Sequence, residues 1–188
     1  MTYIPEWKLL KVTRVASPVS FVDFGVPRLA KRIRVIGRGL ESTFATSTIA
    51  MRYFIGEDIV KSTAHARSWQ TLIADTSSSV ASGSENNSTY IQIFGGVEGI
   101  KNGWFEAIMT GISENENIGV MVRSVQQEHG NTQHSEGRAM TRNDADIGLV
   151  SKIRLFSAVY AGGTSVLPTS KTIDAGTFVM YEDNLDLL

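Results

Sequence analysis

Cysteine is absent from the 188 residues, and with it go disulfide frameworks, thiolate zinc sites, iron–sulfur clusters and cysteine nucleophiles. Histidine is scarce, with three residues, and proline little commoner, with four. No apolar run approaches the roughly 18 residues of a membrane-crossing helix. The opening MTYIPEWKLLK lacks the basic-then-apolar order of a signal peptide. Charge of one sign is missing too: the formal net charge is −1, so bulk electrostatics gives no push toward nucleic acid or an anionic membrane. Apolar residues at three-and-four spacing, the mark of an amphipathic helix, form no convincing stretch. The expectation is a soluble, unprocessed chain forming one domain over residues 1–188. Its 42% hydrophobic and 20% charged residues are globular in proportion. A domain of this size buries roughly two-thirds of its unfolded surface, so its core needs no staple.

What recurs is alternation at period two. Short runs cover residues 7–15, 19–24, 31–37, 48–55, 90–94, 104–111, 118–126, 152–160 and 177–182. They are rich in Val, Ile, Phe, Tyr and Thr, which suit a pleated, half-buried surface. In the third run Ile33 and Val35 face inward against Arg32 and Arg34; in the fourth Ile49, Met51, Tyr53 and Ile55 share a face. Gly25-Val26-Pro27, Gly95-Gly96, Lys101-Asn102-Gly103 and Gly162-Gly163 supply the turns between runs. About nine strands without helical crossovers predict an all-β, antiparallel two-sheet sandwich, jelly-roll-like, with a closed up-and-down barrel as the alternative. Residues 75–89, DTSSSVASGSENNST, are expected to form an exposed loop, and residues 126–146 a second polar one. Residues 1–6 form a short N-terminal arm, ordered only by a neighbour.

Residues that carry chemistry are thinly spread. His129 and His134 fall in a Gly/Asn/Gln-rich stretch where no regular element fixes their geometry, and His65 has no Gly-x-Ser-x-Gly nucleophile to serve. Glu114, Glu116, Asp144 and Asp146 resemble fragments of calcium loops but lack the EF-hand spacing, so they read as solvated turn acids. Gly37-Arg38-Gly39 follows a strand with no third glycine and no helix after it. No catalytic, cofactor-binding or metal site is therefore assigned, and no cofactor is expected. Charge distribution says more: residues 1–52 carry nine Lys or Arg against three acids, whereas residues 174–188 carry four acids and no base. Ends of opposite sign can pair within a subunit or between neighbours.

The order of strands and turns resembles that of small jelly-roll-like β-sandwich virion proteins of tailed bacteriophages, which serve as capsid decoration (cement) proteins and as knobs of tail fibres. The residues that carry the likeness are Trp7-Lys8-Leu9-Leu10, then residues 19–24 and 31–37, the run 49–58 ending in Gly56-Glu57-Asp58, Ile153-Arg154-Leu155, and the closing run 175–181. The chain departs from that pattern in lacking an Asn at the turn 56–58 and in a longer loop over 157–172. The resemblance implies a non-enzymatic virion protein that stabilises the particle by non-covalent contacts. It also implies a homotrimer whose partners are its own copies and other virion proteins such as the major capsid protein, with no nucleic acid and no membrane. Tyr, Trp and Arg carry most interface energy when desolvated, so contact is expected from Tyr3, Ile4, Trp7, Arg28, Arg32 and Arg34. The alternative is a tail-fibre or tail-tip knob recognising a host surface glycan through the two polar loops, with Trp69 and Tyr90 stacking on sugars. Trp104 could join them, although its alternating strand favours a place in the core. A sandwich-fold glycan hydrolase or lyase is a third class, and no acid/base pair supports it.

Overall fold

Backbone hydrogen bonding gathers the period-two runs into thirteen strands among the described residues: β1 (Lys8–Val15), β2 (Phe21–Gly25), β3 (Arg32–Ser42), β4 (Ser47–Ile55), β5 (Asp58–Ile59), β6 (His65–Ala74), β7 (Ser79–Ser88), β8 (Ile91–Gln92), β9 (Ile100–Thr110), β10 (Gly119–Glu128), β11 (Asn131–Thr141), β12 (Val150–Val159) and β13 (Ala175–Asp183). The structure, a computed structural model, describes residues 7–42, 47–56, 58–59, 65–74, 79–88, 90–94, 99–112, 118–128, 131–141, 149–159 and 172–183; β5, β6, β7 and β11 enter through their backbone alone. No helix occurs among these residues, and every strand pair is antiparallel.

The strands form two sheets. The larger runs β1-β13-β3-β9-β10-β11-β6-β7, and the smaller runs β2-β12-β4-β5, with β8 also pairing with β4. Eight strands, taken in chain order, switch sheet at every step except from β4 to β8, which stay together, so that β1-β13-β3-β9 faces β2-β12-β4-β8. This is the double Greek key of a jelly roll. Among the described residues both sheets end in open edges, so the strands make two packed sheets rather than one closed up-and-down barrel. Each of the nine period-two runs overlaps a strand, the run 90–94 only through the two residues of β8.

Burial follows the alternation. Ile33 and Val35 of β3, Phe105, Ala107 and Met109 of β9 and Phe178 and Met180 of β13 point into the sandwich. They meet Val22 and Phe24 of β2, Met51 and Tyr53 of β4 and Ile153 and Leu155 of β12 in one apolar core. Phe105 sits at its centre, edge-on to Phe94 at 6.2 Å and tilted against Phe178 at 6.2 Å. The sheet bends over these rings. A Cβ on Gly37 would lie 2.3 Å from the Phe105 ring, so only glycine lets β3 cross there. A bulge follows directly at Arg38-Gly39, with Gly39 in the left-handed region.

Beyond β9 the large sheet continues through β10, β11, β6 and β7, and here two expectations are corrected. Residues 79–88, expected in an exposed loop, pair with β6 as β7, and residues 131–141, expected in a second polar loop, pair with both β10 and β6 as β11. A ladder needs only backbone donors and acceptors, which Ser, Gly and Asn supply as well as Val does. Period-two apolar patterning marks a strand with one buried face, and these polar strands do not carry it.

Candidate functional site

Register builds the outer face of the large sheet row by row. Val12 of β1 pairs with Val179 of β13, Val179 with Ile36 of β3, Ile36 with Glu106 of β9, and Glu106 with Arg123 of β10. The next row is Leu9, Tyr181, Arg34, Ile108 and Met121. Directly opposite residues share a face, and these rows lie on the face opposite Phe178, Met180 and Phe105. The result is an apolar band of Leu9, Val12, Val179, Ile36, Tyr181, Ile108 and Met121 on the outside of the sandwich, interrupted by Arg34 and Glu106. Its β1 end is open: Leu9 is 54% exposed and Val12 48%.

A neutralised charge network runs through and beside the band. Lys8 bonds Glu182 at 2.9 Å, Arg32 pairs with Asp183 at 3.5 Å, and the Arg34 Nε donates to Glu106. The opposite-sign ends of the chain therefore meet within one subunit, because β13 is hydrogen-bonded between β1 and β3. Trp7, half-buried ahead of β1, takes the guanidinium of Arg32 over its ring at 5.3 Å and that of Arg34 at 5.7 Å. Three of the expected contact residues are thus one cluster. Arg28 stands exposed in the turn between β2 and β3, at the same end of the sandwich, next to Leu29, which is 79% exposed. Tyr3 and Ile4 lie outside the described residues. Above the band Arg14 and Arg38 are exposed on either side of Thr177 in register, and neither forms an ion pair among the described residues.

The outer face of the small sheet carries an arrangement that sequence reasoning missed. The Arg154 guanidinium of β12 forks onto Asp23 of β2 with two bonds of 2.8 Å, and lies 3.9 Å from the Phe21 ring centroid and 5.1 Å from that of Phe54. Lys152 stacks over Phe54 at 4.0 Å, and Arg52 over Phe156 at 5.1 Å. The hydrogen bond to Asp23 raises the Arg154 pKa; burial lowers that of Arg52, against the influence of Tyr90. The signal was available, since Lys152, Arg154 and Phe156 alternate in phase as do Arg52 and Phe54. It reads from sequence as a plain solvated face. Across the edge Lys11 closes the two sheets together: its ammonium bonds the Asp23 carbonyl at 3.1 Å and lies 5.5 Å from the Phe24 ring centroid.

The expected glycan-stacking residues do not gather. Tyr90 is buried in a small second cluster with Ala50, Phe156 and Ala158, so its ring offers no open face. Trp69 lies within β6, between Gly137 of β11 and Gly83 of β7 in register, rather than in a loop. Trp104, expected in the core, is half-buried on the outer face beside the Arg38 bulge, because Phe105 takes the inward position. His65 and His134 stand on β6 and β11, opposite Thr141 and Leu72. His129, Glu114, Glu116, Asp144 and Asp146 lie outside the described residues. Among the described residues no group of three or more His, Asp or Glu is placed to hold a metal ion. Compared with known proteins, the chain matches no family model, no curated protein and no solved structure.

Proposed function

We propose that this protein is a bacteriophage virion structural protein, a capsid decoration protein that docks through the outer face of its large sheet and works by contact. The observation that carries the reading is the apolar band with open Leu9 and Val12, set among the Arg32–Asp183 and Arg34–Glu106 pairs whose guanidinium groups lie over Trp7. An apolar centre with a charged rim is the anatomy of a protein interface, and Trp and Arg are the residues that anchor one. The jelly roll agrees with this but does not select it, since the same architecture serves capsid and lectin domains. The strand-by-strand resemblance to small virion sandwiches adds the setting: the virion, with the major capsid protein as partner.

The test is incorporation. The double variant Leu9→Asp/Val12→Asp places two charges on the exposed end of the band without touching the core. It should fold with an unchanged melting profile and fail to sediment with particles assembled in its presence. Equal incorporation of variant and wild type rejects this face as the docking surface. A protein absent from purified particles rejects the virion reading itself. A second reading, a receptor-binding tail knob, draws on Trp104, whose half-exposed indole adjoins the exposed Arg38. Binding of the isolated protein to a host glycan array, lost in Trp104→Ala, would put that reading first.

A further inference from the structure

The sandwich has several open strand edges, and they are not alike. Exposed edges invite pairing with another chain, and proteins blunt them with charge, proline, bulges or brevity. Edge strand β1 carries Lys8, Lys11 and Arg14 and a register shift between Leu9 and Lys11. On the small sheet β2 has five residues, and β5 and β8 have two each. The outermost strand of the large sheet, β7, has little of this protection. It is ten residues long, SVASGSENNS, with no Lys, Arg or Pro and a single charge at Glu85. Its ladder with β6 is regular from Ser79 to Asn86, with the one irregularity near Ser88. Nothing among the described residues pairs with its other side.

We propose that β7 is a self-association edge, pairing antiparallel with β7 of a second copy so that two eight-stranded sheets join into one. The second copy is favoured over a foreign peptide by the strand's composition. A foreign strand is selected by pockets for its alternate side chains, and a strand whose residues, apart from Val80 and Glu85, are Ser, Ala, Gly and Asn has little with which to build them. Two identical antiparallel strands need only the backbone, and the two-fold closes the assembly. Charge permits it: centred between Gly83 and Ser84, the pairing sets Glu85 opposite the second copy's Ser82, with no like charges facing. The expected state is a dimer, not the trimer that the virion resemblance implies. This inference stands whether or not the protein belongs to a virion.

Light scattering after size exclusion tests it on the full chain. The wild type should run as a dimer, Ser82→Glu/Ser84→Glu, which sets glutamates on the same face as the second copy's Glu85, as a monomer with unchanged far-ultraviolet dichroism, and Leu9→Ser/Val12→Ser as a dimer still. A wild type that stays monomeric at high concentration, or forms a trimer, overturns the proposal. So does a dimer that survives the glutamates, or one lost only when Leu9 and Val12 are changed. Should the glutamate variant unfold, hydrogen exchange of wild-type β7 amides decides: protection must rise with protein concentration, and concentration-independent exchange overturns the pairing.

Discussion

The strands β1, β13, β3 and β9 and the strands β10, β11, β6 and β7 make one continuous hydrogen-bonded sheet, yet the two halves are built differently. In the first half every strand sends side chains into a core closed from the other side by β2, β12 and β4. In the second, β10 still contributes Val120 and Val122 to that core, and its Ser124 hydroxyl bonds the Ile93 carbonyl at 2.6 Å. Past β10 the strands β11 and β7 turn mostly polar, β6 between them keeps Trp69, Leu72 and Ile73, and β7 holds one Val and one Ala in ten residues. Burial fixes register in the body: a one-residue slip in β3 would turn Ile33 and Val35 to solvent, whereas β7 carries no alternating apolar pattern to oppose a slip. Packing specifies the body, and the ladder of β6 is expected to hold β7.

Core substitutions should break the body hardest. Phe105→Ala removes the ring shared by Phe94 and Phe178 and should cost about 3–5 kcal/mol, read as a fall in the denaturant midpoint at constant slope. A loss under about 1 kcal/mol would mean that stability resides elsewhere than between the sheets. Gly37→Ala acts on the same ring from the opposite direction, by overpacking, and should cost about 1–3 kcal/mol. Because the two sites touch, combining Gly37→Ala with Phe105→Leu should cost less than the sum of the single changes. Simple additivity would show that the sheet, rather than the ring, absorbs the new methyl.

The body was legible in the sequence for the same reason that it is sensitive to these changes. Alternation such as Ile33/Val35 against Arg32/Arg34 records which face is buried, and burial is what period two encodes. The strands β7 and β11 left no such record, so residues 75–89 and 126–146 read as loops, and β6 matched none of the period-two runs. Part of the contact site was legible as well. Trp7, Arg32 and Arg34 carry the residue types of an anchor, and β1–β13–β3 pairing brings them together. The apolar band was not, because Val12 and Val179 are far apart in sequence and only register makes them neighbours. Tyr90 and Trp104 exchanged their expected places for a local reason: Phe105 and Phe156 fix which side of each strand faces a core, and single-residue patterning does not show which of two faces that is.

On the small sheet, Arg154→Ala should cost about 1–2 kcal/mol, combining a two-point bond to Asp23 with stacking on Phe21 and Phe54 at partly exposed positions. Arg154→Lys keeps the charge but loses the fork, and should recover no more than about half. The bond raises the Arg154 pKa above its ordinary value, so the guanidinium's contribution is complete at every pH below that ordinary range and fades only above it. Full recovery by lysine would reduce the cluster to simple charge attraction and remove its resemblance to the packed body.

The smallest effect is expected at the far edge. Ser82→Lys in β7 should change the stability of the isolated subunit by no more than about 0.5 kcal/mol, because small polar surface substitutions away from packed groups seldom do more. Measured at a concentration low enough to keep subunits apart, amide exchange should then rank the halves of the sheet directly. The β3, β9 and β13 amides should open only with global unfolding, and those of β6 and β7 through a cheaper local opening that leaves the jelly roll intact. In Phe105→Ala the body amides should lose protection until the two rankings converge, since global unfolding becomes the easier route for both. If β7 instead matches β3 in the wild type and falls in step with it in the variant, the extension shares the body's cooperative unit, and side-chain packing rather than the ladder of β6 holds it in place.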